Sequence, residues 1–187
     1  MGLVRVEQLQ REFPVDVDWV PFELHPETPP EGRVIDPASS GRRAAVHEHL
    51  QRLAAEAGLE MKQKRFVSNS RLALEAGEFA RAAGPEVFNA LHRALLHAYF
   101  EEAQDIGDRQ TLLAVARGAG LDTEALSAAL SDQRYAAEVD DWTAWAQTNG
   151  ITGTPAFVFN NRFLMVGAQD YEVFADVARR LLAREGG

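Results

Sequence analysis

Gly150-Ile151-Thr152-Gly153-Thr154-Pro155-Ala156-Phe157-Val158-Phe159-Asn160-Asn161-Arg162-Phe163 is the stretch on which the reading of this chain turns. Apolar residues recur at helical spacing before it and at strand spacing within it. Ala156 to Phe159 reads as a short apolar strand. Asn160-Asn161 can supply the positive φ angles of a tight hairpin turn. Arg162 to Val166 reads as the returning strand, closed by Gly167. Tyr171, Phe174, Ala178 and Leu181 then predict a final amphipathic helix.

On the N-terminal side of Gly150 the pattern from about 41 to 149 reads as helical throughout. Val46, Leu50, Leu53 and Ala57 form one stripe. Asn69 or Ser70 is placed to cap a helix carrying Leu72, Ala76, Phe79 and Ala80. Pro85 suits the first turn of a helix with Phe88, Leu91, Leu95 and Tyr99. Asp108 and Asp122 predict N-caps for helices at 109–118 and 123–130. A last helix over about 132–149 carries Tyr135, Val139, Trp142 and Ala146 and stops at Asn149-Gly150.

The first forty residues differ again. Leu3, Val6, Leu9 and Phe13 have helical spacing, and Pro14 ends that helix. Val15-Asp16-Val17-Asp18-Trp19 alternates with period two and continues through Val20, Phe22 and Leu24, which predicts a strand over 15–24. Pro21 donates no ladder hydrogen bond, so such a strand belongs at a sheet edge or ends near Pro21. Pro26, Pro29, Pro30 and Pro37 with Gly32 make His25 to Pro37 an extended loop.

The 187 residues suffice for one domain, or one core with an inserted subdomain; 46% are hydrophobic. No stretch approaches the roughly 20 apolar residues of a membrane-spanning helix. Net charge is −9 and no basic stripe stands out, which argues against nucleic acid and against an anionic membrane surface. MGLVRVEQLQREF lacks the basic start and apolar run of a signal peptide, and a cytoplasmic location is the expectation. There is no cysteine in the sequence. That excludes disulfides, thiolate metal sites and thiol nucleophiles within these residues.

The Gly150–Phe163 stretch, continued through Gly167-Ala168-Gln169, resembles the cis-proline loop, hairpin and final turn of DsbA-like thioredoxin-fold oxidoreductases, and more narrowly the FrnE-type subfamily. Three further stretches are similar to that subfamily in the same order. They are Pro21-Phe22-Glu23-Leu24-His25-Pro26 through Pro29-Pro30-Glu31-Gly32, Asn69-Ser70-Arg71-Leu72-Ala73-Leu74-Glu75, and Ala98-Tyr99-Phe100-Glu101-Glu102 to Asp105-Ile106-Gly107-Asp108. The resemblance implies an α/β thioredoxin-like fold, incomplete for want of its first strand, with a large all-helical insertion. Residues 1–40 and 150–187 would form the partial thioredoxin-like domain, and 41–149 the inserted helical subdomain.

Members of that family begin with a β-strand followed by Cys-x-x-Cys at the N-terminus of the first helix. The first cysteine attacks a substrate disulfide, its thiolate favoured by the positive end of the helix. This chain opens with Met1-Gly2, directly into what resembles the remainder of that helix. The expectation is a strand and dithiol cut off rather than replaced, either because the start lies downstream of the true one or because the protein is short and redox-dead. No catalytic residue is then expected within the chain. The missing strand would have been central, so 15–24 would move to pair with 156–159, or the gap would accept a strand from another chain, with a homodimer through the exposed sheet edges as one outcome.

The resemblance implies a cis Thr154–Pro155 bond with Thr154 presenting its backbone to the substrate; the plainer reading is a trans proline opening an edge strand. Asn69 is either near the active face, as in relatives including the glutathione-binding kappa class, or an N-cap. Gln169 is either a polar contact for glutathione or the opening of the last helix. Thr154, Pro155, Asn69 and Gln169 are therefore the candidate substrate-binding residues. The expected substrate is a protein or small thiol or disulfide, with no cofactor in the leading reading and glutathione in the alternative. That alternative is a kappa-class transferase or hydroxychromene carboxylate isomerase; a third is a non-catalytic module that accepts a strand.

No metal is expected. His47 and His49 fall on different helix faces, His92 and His97 are five apart, and His25 is alone in the proline-rich loop. Ser39, Ser40, Ser68 and Ser70 lack the G-x-S-x-G context of a nucleophilic serine. Glu101, Glu102, Asp105 and Asp108 read as a solvated acidic face. Trp142 and Trp145 read as core and rim of the helical part.

Overall fold

The computed structural model describes residues 1–35, 48 and 50–185. Val46, His47, His49, Pro37, Ser39 and Ser40, named above, lie outside the described residues. Helix α1 spans Gly2–Glu12, strand β1 Arg33–Val34, helical turns α2 50–56, and strand β2 Phe66–Val67. Helices α3 (Arg71–Ala83) and α4 (Pro85–Leu96) follow, and α4 runs into a π-helical turn, His97–Glu101. Then come α5 (Arg109–Gly118), α6 (Thr123–Ser131) and α7 (Ala136–Thr148). The hairpin strands β3 (Ala156–Phe159) and β4 (Phe163–Val166) and helix α8 (Tyr171–Glu185) complete the order. The fold is helix-rich thioredoxin-like α/β, with a helical block between its first and last segments.

Local signals set most boundaries. The Asp108 carboxylate accepts the Thr111 N–H at 2.8 Å, and Asp122 accepts from Glu124 and Ala125, so α5 and α6 begin at their capping aspartates. Pro85 occupies the first turn of α4. At the hairpin, Asn160 and Asn161 both have positive φ (47° and 54°), and the Arg162 N–H closes the turn on the Phe159 carbonyl at 3.0 Å. The register pairs Phe157 with Met165 and Val158 with Leu164.

Two apolar clusters organise the chain. One is helical, built on Ala76, Ala80, Leu91, Leu112, Ala116 and Leu126, with Trp19 packed against it. The other joins α1, the hairpin and α8 through Leu9, Met165, Phe174 and Ala178, with Phe13, Val15, Phe157 and Phe159 alongside. Each strand of the hairpin therefore has one face against α8 and α1, and the other, with Val158, Leu164 and Val166, exposed.

Several expectations need correction. Residues 15–24 are extended and alternate in burial, with Val15, Val17 and Trp19 inward and Asp16, Asp18 and Val20 outward, yet they join no ladder. Period-two burial needs only a surface to lie on; a strand needs a second strand at hydrogen-bonding distance, and none of the described strands reaches it. The rearrangement in which 15–24 pairs with 156–159 does not occur; among the described strands β3 pairs with β4 alone. Residues 41–149 are not helical throughout: Phe66–Val67 pairs antiparallel with Arg33–Val34. The helix expected from 132 starts at Ala136, because Gln133 turns left-handed (φ 51°) and the Arg134 N–H reaches back to the Ala129 carbonyl at 3.0 Å, a closure that ends α6. Trp142, read with Trp145 as core and rim, is not core: it is 39% exposed and stacks edge-to-face on Trp145, 37% exposed and at the rim as expected.

Candidate functional site at the start of helix α1

The start of α1 lies against Pro155. A Cβ built on Gly2 would sit 3.2 Å from the Pro155 Cβ and 3.4 Å from the Phe157 ring, so the glycine allows a close approach of helix and loop. The Thr154–Pro155 peptide bond is cis. The Pro155 carbonyl accepts the Gly167 N–H at 2.7 Å, which ties the loop to the end of β4. Gly167 has φ 89°, and this left-handed turn carries the chain into Ala168 and Gln169. Gln169 donates its side-chain amide to the Val166 carbonyl at 3.2 Å.

Gly2, Arg5, Phe157, Ala168 and Gln169 line one small cleft, with Met1, Leu53 and Phe174. Pro155 and Gln169 are thus brought together around the first turn of α1. Phe157 and Phe174, edge-to-face with centroids 4.7 Å apart, form the cleft floor. Arg5 has no carboxylate partner among the described residues and supplies positive charge on the helix end that already carries the favourable end of the peptide dipoles. The arrangement puts positive charge at the start of α1, where an anionic group would be stabilised. It holds no thiol, because the sequence has no cysteine.

Asn69 is not part of this cluster. Its amide donates to the Thr28 carbonyl at 2.7 Å, and its oxygen accepts the Arg71 N–H at 2.9 Å. Standing one residue before the N-cap Ser70, it satisfies the first N–H of α3 while pinning the proline-rich loop to the helix. Gly107 packs on its backbone. Tyr99 bonds through its hydroxyl to the backbone of Ser68, and burial pushes that phenol up from its ordinary pKa. Three of the family-like stretches thus meet at residues 68–69.

Sequence reasoning missed the Arg71 junction. Its guanidinium bonds Glu75 at 2.9 Å, Glu23 at 3.1 Å and the Ala136 carbonyl at 2.9 Å, and pairs with Asp140 as well. The hydrogen bond to Asp140, followed by those to Glu75 and Glu23, raises the guanidinium pKa against the opposing effect of burial, and Asp140 is held below the usual carboxylate range. Arg71 belongs to the Asn69-Ser70-Arg71 stretch, but nothing in the linear sequence links it to Glu23 or Asp140. Among the described residues no group of three acidic, histidine or cysteine side chains is arranged to hold a metal ion. No helix among them is long and apolar enough to cross a membrane.

Comparison with known proteins bears on this geometry. A family model described as a DSBA-like thioredoxin domain matches residues 1–178. The chain is similar to the uncharacterized protein YwbO of Bacillus subtilis (strain 168), with 26% identity over 181 residues, 93% of this chain and 86% of that protein. It is also similar in structure to a probable DsbA oxidoreductase, SCO1869 from Streptomyces coelicolor. The TM-score is 0.84 and the identity 26%, over 97% of this chain and 83% of the other.

Proposed function

The chain belongs to the DSBA-like thioredoxin domain family, and from that membership we propose that it is the greater part of an FrnE-type thiol–disulfide oxidoreductase whose dithiol lies in sequence preceding Met1. The observation that carries this reading is the contact between the first residues of α1 and Pro155. A cysteine pair placed just before Gly2 would stand beside the loop on which Thr154 presents a substrate strand. The first thiolate would attack one sulfur of the substrate disulfide. A mixed disulfide forms, the substrate S–S bond breaks and the other sulfur leaves as thiolate; attack by the second cysteine then releases the reduced substrate. The positive end of α1 and the charge of Arg5 favour the attacking thiolate.

Thr154, Pro155 and Gln169 are the substrate-facing residues in this proposal, and Asn69 supports the fold through its bonds to Thr28 and Arg71. The division into a thioredoxin-like part, 1–40 with 150–187, and a helical insertion, 41–149, is part of the same proposal and is favoured by the two separate apolar clusters.

The test is insulin reduction with a thiol reductant. The 187-residue chain is expected to give the blank rate. A chain extended through the in-frame upstream codons is expected to carry Cys-x-x-Cys and turn over. Turnover by the short chain, or upstream codons without a cysteine pair, would overturn the proposal.

A second reading is favoured by Gln169 and Arg5 sharing one cleft with Gly2. In it, glutathione occupies that cleft, as in a kappa-class transferase or isomerase. Calorimetric titration with glutathione separates the two: saturable binding, diminished by R5A and Q169A, favours the second. A third reading uses the outer edge of β3, which among the described strands pairs only on the β4 side. There the edge accepts a strand, in the simplest case from a second copy, and sedimentation equilibrium showing a dimer lost on V158P would favour it.

A further inference from the structure

The sequence holds two lysines, Lys62 and Lys64, and the structure treats them differently. Lys62 is exposed. Lys64 is partly buried, with its Nζ 2.6 Å from the centroid of the Tyr99 ring and 4.6 Å from that of Phe100. Those rings stand edge-to-face, centroids 4.9 Å apart, on the π-helical turn. The Lys62 N–H to Phe100 carbonyl bond, at 2.9 Å, holds the lysine segment against the turn. Among the described residues no carboxylate pairs with Lys64. Of the polar groups on the π-helical turn and just after it, Glu101 and Glu102 face His97, Asp105 accepts the Gly107 N–H, and the Tyr99 hydroxyl is bonded to the backbone of Ser68. Lys62 and Arg65 flank it with like charge.

We propose that Lys64 is a reactive amine, a modification site at which this chain takes up small acyl groups from acyl phosphates. An ammonium has three N–H donors, and ring faces offer no acceptor for them. Removing water from such a group without a carboxylate in exchange favours the neutral amine, the form that attacks carbonyl carbon. Attraction between a cation and the ring faces opposes this, and desolvation is the larger effect: burial lowers the Lys64 pKa to about 7. The step balances without an oxidant. The Nζ lone pair attacks the acyl carbon, a C–N amide bond forms, the C–O bond to phosphate breaks, phosphate leaves with the electron pair, and the surplus proton passes to water. The resulting amide is uncharged and keeps its methylene stem on the same two rings.

The experiment treats the folded chain with acetyl phosphate between pH 6 and pH 10 and quantifies each lysine by peptide mass spectrometry, Lys62 serving as the internal reference. A lysine of lowered pKa gains neutral fraction and loses some intrinsic nucleophilicity, which leaves an advantage of roughly 30- to 60-fold at pH 7. The expected result is Lys64 ahead of Lys62 by about that factor near pH 7, with its rate levelling above pH 8 while that of Lys62 keeps climbing. In urea the two should react alike. The variant F100A, which opens the Nζ to water, should reduce the ratio. Equal rates at pH 7 in the folded chain, or the same pH profile for both lysines, would overturn the proposal.

Discussion

Gly107 lies directly on the backbone of Asn69: a Cβ at Gly107 would stand 2.6 Å from the Asn69 carbonyl oxygen and 3.1 Å from its amide nitrogen. Real Cβ atoms do not approach backbone oxygen so closely, so the two segments meet only because residue 107 has no side chain. G107A must push the 105–108 turn away from residues 68–69. We expect a loss of about 1–3 kcal/mol in unfolding free energy, from the class of overpacking changes, measured by urea denaturation. A loss under about 0.5 kcal/mol would show that the turn adapts freely.

Arg71 stands between two buried carboxylates, Glu75 (4% exposed) and Glu23 (11% exposed). Replacing it by Met leaves both without their cation. Breaking such a network from one side costs about 3–5 kcal/mol, and Glu23 would also release the Pro21–Leu24 segment that its own N–H ties to Thr143 at 3.1 Å. The measurement is again urea unfolding, joined by proteolysis near residues 15–24. E23Q, which keeps a hydrogen-bond acceptor facing Arg71, should cost less than half as much.

His92 is held neutral. It packs edge-on to Trp19 at 4.4 Å and to Phe88 at 5.5 Å. Burial first, then Arg93 and Arg81, depress its pKa from 6.5 to about 4. Between those values the unfolded chain binds the proton and the folded chain does not. The stabilising contribution is therefore full above pH 6.5 and is lost as pH falls toward 4. At about 1.36 kcal/mol per pKa unit, roughly 3 kcal/mol is at stake. H92F keeps the ring and removes the proton site. The difference in urea midpoint between pH 7 and pH 4.5 should be smaller in H92F than in the parent; an unchanged difference would place the pH dependence elsewhere.

Asn161 sits at φ 54° in the hairpin turn. Asn tolerates the left-handed region better than other L-residues, and glycine better still. N161A should cost about 1 kcal/mol, while N161G should be neutral or slightly stabilising. Thermal melts of both variants decide this, and a hairpin indifferent to alanine would contradict the assigned turn.

What could be read along the chain was what neighbours in sequence decide. Asp108 and Asp122 cap their helices because the N–H groups they accept lie two or three residues on, and Asn160-Asn161 turn the hairpin through their own φ angles. Val15 to Trp19 shows the boundary of such reasoning. Its alternation fixes which side chains face inward, but strand pairing requires a second backbone that only the folded chain can place beside it. The π-helical turn at His97–Glu101 and the left-handed Gln133 carry no local signal of comparable strength.

The amino-acid sequence by itself determined the helix caps, the hairpin and the family-like loop around Thr154–Pro155, because each depends on interactions over a few residues. Only the tertiary structure decided that Gly2 and Gln169 gather beside Pro155, that Asn69 stands apart on Thr28 and Gly107, and that Arg71 joins Glu23 to Asp140. Those pairings join residues tens of positions apart. They are selected by which surfaces can be buried together with their polar groups satisfied, a condition that exists only once the whole chain has packed.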